Sequence, residues 1–208
     1  MEPAVKHHAF LYPFFRWYIS RRLKQHFHSI ELIGNVPHND GAILVISNHT
    51  SWWDGFWINY LNENRFQRKF TFLMREDQLQ KHWYFKHTGG IPINKGSRSA
   101  IKSLAYCAQL LNSPNYLLLV FPQGEIQTMH ATTFKFEKGI ERIMANCPEN
   151  VQMIFAANLI DYFSNAKPTL SIYYTEFDWK NKKLSDLQTG YQQFYRQAVE
   201  SQLNRPLK

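Results

Sequence analysis

Residues 47–55 read S-N-H-T-S-W-W-D-G, so that His49 and Asp54 stand five positions apart directly after an apolar run. A neutral imidazole takes a proton from a hydroxyl, and a carboxylate beside it fixes the tautomer and stabilises the imidazolium that forms. That chemistry requires contact. Five residues along a continuous helix amount to about 500° of rotation and leave two side chains roughly 140° apart. The pair therefore forms only if His49 lies in a turn after a strand and a helix begins near Ser51, with Asp54 in its first turn. A second reading competes. Ser51-Trp52-Trp53-Asp54 also fits a capping box, in which the carboxylate bonds the amide of the N-cap residue. Spacing alone leaves both readings open.

Two further segments carry polar groups in suggestive places. G-G-I-P-I-N-K-G (89–96) ends near Lys95, with Arg98 just beyond, and F-P-Q-G-E (121–125) follows another apolar run. Lys95 and Arg98 suit an anionic group, or are solvated loop charges. Gly124 suits a point where backbone approaches a ligand closely, or a simple strand-end turn. Cys107 and Cys147 are the only cysteines, too few and too far apart for a disulfide framework or a zinc pair, so free thiols in a reducing compartment are expected. Cys107 falls in the middle of a helical pattern and is not expected to be a nucleophile. No G-x-S-x-G elbow occurs. The remaining histidines lack zinc spacing, and N-K-G-S lacks the upstream glycine of a phosphate-binding loop, so no metal or other cofactor is expected.

The elements that must hold these residues follow from hydrophobic periodicity. Residues 41–47 and 116–121 are short continuous apolar runs, as in strands covered on both faces, and each leads straight into one of the polar segments. Further strands are expected at 30–36, 70–75, 91–94, 151–159 and 170–177. Helices are expected at 76–87, 134–146 and 185–203. Ile101, Leu104, Ala105, Ala108 and Leu111 follow helical spacing behind a cap at Ser97 or Ser99. The order is that of an α/β single domain with a mixed, mostly parallel sheet flanked by helices. In such a sheet the loops at the carboxyl ends of neighbouring strands meet in one crevice, which gathers the segments after 47 and 121.

Composition narrows the partners. The 208 residues are enough for one well-buried core, and a formal charge of +8 favours an anionic partner. The 16 Phe, 11 Tyr and 6 Trp suit either a core or a water–lipid boundary. Residues 10–27 mix large rings with Arg16, Arg21, Arg22 and Lys24, which makes 1–28 an N-terminal amphipathic segment, membrane-associating or simply packed on the remainder at 29–208. Pro13 predicts a break in or beside its helix. No stretch approaches the roughly 20 apolar residues of a spanning helix, and no cleavage pattern of a signal peptide is present, so the chain is expected on the cytoplasmic side. A basic nucleic-acid-binding module is the competing class, but no nucleic-acid motif supports it and no nucleic-acid partner is expected.

Asn48-His49 with Ser51 and Asp54 resembles the first block, N-H-x-S-x-x-D, of the glycerolipid acyltransferases typified by 1-acylglycerol-3-phosphate acyltransferase. Residues 89–96 resemble the second block, with Pro92 in an aromatic position and Lys95 in that of an arginine. Residues 121–125 resemble F-P-E-G-T, with Gln123 for glutamate and Glu125 for threonine. F-K-F-E-K-G (134–139) is similar to the stretch that follows. The apolar strand of the fourth block falls near 151–160 without its proline. The resemblance covers about residues 30–160.

It implies a glycerol-3-phosphate acyltransferase-like fold and transfer of a fatty acyl group from acyl-CoA or acyl carrier protein to a lipid hydroxyl at a membrane surface. His49 is then the base and Asp54 its partner. Asn48, Ser51, Lys95, Arg98, Gln123, Gly124 and Glu125 are the implied substrate-binding residues, with Lys95 and Arg98 meeting an acceptor phosphate. The changes at 123 and 125 point to an altered headgroup, or to a lipid-binding protein that has lost turnover.

Overall fold

The structure, a computed structural model, describes residues 4–205. The chain runs through helix α1 (Leu11–His26), strands β1 (Ser29–Ile33) and β2 (Ile43–Ser47), helix α2 (Asp54–Leu61), strand β3 (Lys69–Arg75), helix α3 (Glu76–Lys81), strand β4 (Gly90–Ile93) and helix α4 (Arg98–Leu110). It continues through strand β5 (Tyr116–Val120), helix α5 (Gly139–Met144), strands β6 (Gln152–Asp161) and β7 (Thr169–Glu176), and helix α6 (Leu184–Leu203). The seven strands form one sheet in the order β1-β7-β6-β2-β5-β3-β4, in which only the β6–β7 pairing is antiparallel. Five strands, from β6 to β4, therefore point the same way. Their carboxyl ends lie along one edge, where the loops after β2, β3, β4 and β5 meet.

Both faces are covered, and the alternation along β2 makes this visible. Leu44 and Ile46 face a core completed by Leu104 of α4, Ile140 of α5 and Tyr191 of α6. Ile43 and Val45 face the other way, onto Ile19 and Leu23 of α1 and Trp57, Ile58 and Leu61 of α2. All five residues of β2 are buried, which is why this strand is written as an unbroken apolar run rather than an alternating one.

All seven expected strands are present, with ends shifted by a few residues. The helices depart more. The expected helix at 76–87 stops at Lys81 and passes into a tight 3-10 turn, Trp83–His87. The expected helix at 134–146 is helical only over Gly139–Met144. Phe134 and Phe136 both point into the core, a spacing of two that belongs to extended chain, and their amides donate to the Gln192 and Gln188 side chains of α6 at 3.0 and 2.9 Å. Ser97 caps α4, accepting from the Ala100 amide, but Ile101 and Ala105 turn outward while Cys107 and Leu110 take the buried positions.

α1 passes through Pro13 without a break. The proline is the third helical residue, where the amide it lacks has no partner within the helix. α1 buries Ile19 and Leu23 and leaves Phe14, Trp17 and Tyr18 exposed, as is Phe10 just before it. No helix among the described residues is long and apolar enough to cross a membrane.

Candidate active site

The turn between β2 and α2 brings His49 and Asp54 together. The Asp54 carboxylate is fully buried. Its Oδ2 accepts from the Thr50 and Ser51 amides at 2.6 and 2.9 Å and lies 2.9 Å from Nδ1 of His49, and its Oδ1 accepts from the Thr50 hydroxyl at 3.4 Å. The bond to the Ser51 amide is one half of the expected capping box, but the box does not form: α2 begins only at Asp54, its N-cap is Trp53 without a side-chain cap bond, and Ser51 Oγ accepts from the Trp53 amide. The bond to His49 is the one an acid–base pair requires, and it is reached because the turn folds residues 49–51 around one carboxylate. An oxygen already accepting two backbone N–H groups is an acceptor toward the imidazole too. In the neutral ring Nδ1 is therefore the nitrogen that carries the proton, and Nε2 the one with the lone pair.

The ring is held on its face as well as at its edge. It stacks on Phe121 with centroids 4.0 Å apart and planes 9° from parallel, and the His49 side chain remains 21% exposed. Neighbouring amides hold its backbone. The His49 N–H donates to Oε1 of Gln123 at 2.8 Å, its carbonyl accepts from the Gln127 N–H at 2.8 Å, and Gln123 Nε2 donates to Gln127 Oε1 at 2.6 Å. One residue earlier, Asn48 exchanges two bonds with the backbone of Asn158 on β6, at 2.9 and 3.2 Å, and is completely buried.

His49 lines a groove of about 630 Å³ over the carboxyl ends of β2 to β5. Phe56, Phe70, Phe72 and Phe85 make an apolar wall on the α2 side of the sheet, while Leu104, Ile140 and Ile143 make one on the α4 side. Arg75, Lys95, Glu125, Glu137, Lys138 and Arg142 supply its charges. Lys95 is paired with Glu137 at 2.7 Å, both half-exposed. Gly124 has φ +71°, and a methyl group there would sit 3.2 Å from both Lys95 Nζ and the Glu137 side chain.

The implied substrate-binding residues thus divide. Lys95, Gly124 and Glu125 line the groove; Asn48, Ser51, Arg98 and Gln123 do not. Asn48 and Gln123 are buried, Ser51 Oγ accepts from the Trp53 amide, and Arg98 is exposed at the start of α4. Missed from the sequence were the apolar lining of the groove, the charged Arg75, Glu137, Lys138 and Arg142 on it, and the supports of His49 at Phe121 and Gln127. Lys138 and Arg142, four positions apart across the start of a helix, gave the only usable signal. Burial pushes the Cys107 thiol up to about 12, which leaves it inert as a nucleophile.

The catalytic-looking pair, the groove and the segments joining them fall within residues 24–157, the span matched by the family model described as Acyltransferase. No curated protein matches the chain. The model covers well over half of the sequence, from the end of α1 into β6, and the chain belongs to the acyltransferase family, that of the 1-acylglycerol-3-phosphate acyltransferase-like proteins.

Proposed function

We propose that the protein moves a fatty acyl group from acyl-CoA or acyl carrier protein to the hydroxyl of a lysophospholipid such as 1-acylglycerol-3-phosphate, or of a related lipid, with His49 as general base. The observation that carries this reading is the buried Asp54 carboxylate on Nδ1 of an imidazole that borders an apolar groove. In the reaction, the acceptor oxygen attacks the thioester carbonyl carbon as its proton passes to Nε2 of His49. The tetrahedral intermediate then collapses, the C–S bond breaks, and the departing sulfur takes the proton back from the imidazolium. Asp54 holds the tautomer in the first step and stabilises the cation between the two. The substrate hydroxyl occupies the role a serine plays in hydrolases, so transfer is sequential, without an acyl-enzyme.

The groove residues divide the work. The phenylalanine-lined part suits an acyl chain, and Lys95, Lys138 and Arg142 suit the anionic group of a lipid headgroup. α1 supports binding at the cytoplasmic membrane surface, because its exposed rings lie on the same helix as Arg21, Arg22 and Lys24, and Trp83 is exposed on the 3-10 turn whose Tyr84 and Phe85 pack on Phe15 of α1.

The test is thiol release from palmitoyl-CoA in the presence of 1-oleoylglycerol-3-phosphate or other lyso-lipids. His49→Ala is expected to lower acceptor-dependent turnover by about 10² to 10⁴-fold while thermal unfolding stays near wild type. Full turnover by a folded His49→Ala protein would refute the base. Binding to vesicles with no thiol release from any acceptor would favour a lipid-binding protein without turnover.

A further inference from the structure

Gln123 stands where the family's third block carries glutamate, and its side chain is 4% exposed, turned away from the groove onto the backbone of His49. β2 pairs with β6 only as far as Ser47, so the His49 peptide groups lie beyond the ladder and need other partners. Gln123 Oε1 takes the N–H, and the Gln127 amide serves the carbonyl. The two glutamine side chains close the circuit through their own bond. The direction of each amide follows from the one group whose role is fixed. A backbone N–H only donates, so Oε1 of Gln123 faces His49, its NH₂ faces Gln127, and Gln127 presents an oxygen. The closed ring works because residue 123 both accepts and donates.

From this ring we infer that Gln123 and Gln127 are positioning residues, an amide clamp that holds the His49 peptide so that Nε2 is aimed at the acceptor hydroxyl. The inference rests on the reading of His49 as the base. Asp54 and Phe121 fix how the imidazole is turned; the clamp fixes where its Cα stands. A displacement of about 1 Å in a reacting group is enough to cost about 10²-fold in rate. The segment that makes the clamp also carries Gly124 and Glu125 to the groove, so the base and the substrate-facing side of this loop form one hydrogen-bonded unit.

The test exchanges amides for acids in the full-length protein. Gln123→Glu still accepts from the His49 N–H and receives the NH₂ of Gln127 once that amide rotates. Gln127→Glu still accepts from Gln123. Each single variant is expected to keep kcat within about threefold, since one hydrogen bond replaces another. In Gln123→Glu/Gln127→Glu, assayed at a pH alkaline enough that the two carboxyl groups no longer share a proton, two acceptors face each other and the circuit opens. For the double variant, kcat for palmitoyl-CoA with 1-oleoylglycerol-3-phosphate is expected to fall about 10²-fold, with both KM values held within about twofold. The His49 amide is expected to exchange with solvent at least about tenfold faster, while that of Val45 in mid-strand is unchanged.

A loss in the double variant no larger than the product of the single ones, a change in KM alone, or an unaltered His49 exchange rate would overturn the clamp. The exchange readout stands whichever acceptor the enzyme prefers. An inactive His49→Ala together with independent glutamate variants overturns the clamp and leaves the base, whereas an active His49→Ala removes both.

Discussion

The turn after β2 and the charged part of the groove stand side by side and are built on opposite plans. In the turn, Asp54 is fully buried and serves four donors, and His49 is gripped at its N–H, its carbonyl, Nδ1 and one ring face. In the charged part, Lys95 and Glu137 are more than half exposed and pair with one another, and Arg142 and Lys138 have no ion-pair partner among the described residues. Under the proposed mechanism, a group that must meet a moving proton is preorganised because misplacement there costs rate, whereas a group that receives a solvated headgroup keeps its freedom and loses part of it only on binding.

Breaking the first region gives the largest effect. Asp54→Ala is expected to cost up to about 10⁴-fold in kcat. It also leaves the Thr50 and Ser51 amides unserved, which lowers stability by about 1–3 kcal/mol, seen as an earlier thermal unfolding. His49→Ala, in contrast, separates the two quantities and loses rate alone. The headgroup region is expected to respond through KM. Arg142→Ala raises KM for an anionic lyso-lipid about tenfold, as the loss of one charge-assisted bond would, and leaves KM for a neutral monoacylglycerol unchanged. Lys95→Ala has a smaller effect, because its ammonium is already matched by Glu137. Equal effects of Arg142→Ala on anionic and neutral acceptors would break the comparison.

Gly124→Ala probes the seam between the two. Its left-handed backbone and the approach of Lys95 predict a cost of about 1–2 kcal/mol, or roughly 2–8 °C in unfolding midpoint for a chain of this size. The smallest effect belongs to a histidine outside the site. Burial lowers the pKa of His7, partly offset by the Phe70 carbonyl 2.8 Å from its Nε2. The unfolded chain then takes this proton more readily than the native one. His7's contribution is complete above about pH 6.5 and declines as pH falls below it. His7→Gln should flatten that slope in chemical denaturation without touching turnover.

How far the sequence revealed this division depends on the kind of signal. The strands were legible because β2 and β5 are buried on both faces and say so in unbroken apolar runs. The pairing of His49 with Asp54 was legible as a conditional, since only a break between strand and helix lets side chains five apart meet. Its capping alternative shares one bond with the observed turn, the Ser51 amide on Asp54, but fails because the N-cap of α2 is Trp53 rather than Ser51. Gln123 was visible as a departure from the family block, but nothing in the string told which way it pointed. Gln127 left no trace, because half its contribution comes from a backbone amide, which every non-proline residue owns. Phe134 and Phe136 misled the helix boundary: their partners are Gln188 and Gln192, more than fifty residues later.

Asn48 completes the sheet by proxy. Its carboxamide offers Asn158 an oxygen and an NH₂ in the manner of one more peptide unit, so β6 continues past the point where β2 has turned away. The main chain of the turn is thereby released from ladder duty and spent on the histidine and its surroundings. Exchanging that carboxamide for an isosteric acid would set two oxygens against each other and withdraw the rung, loosening the hinge on which the whole loop hangs without altering any atom that lines the groove.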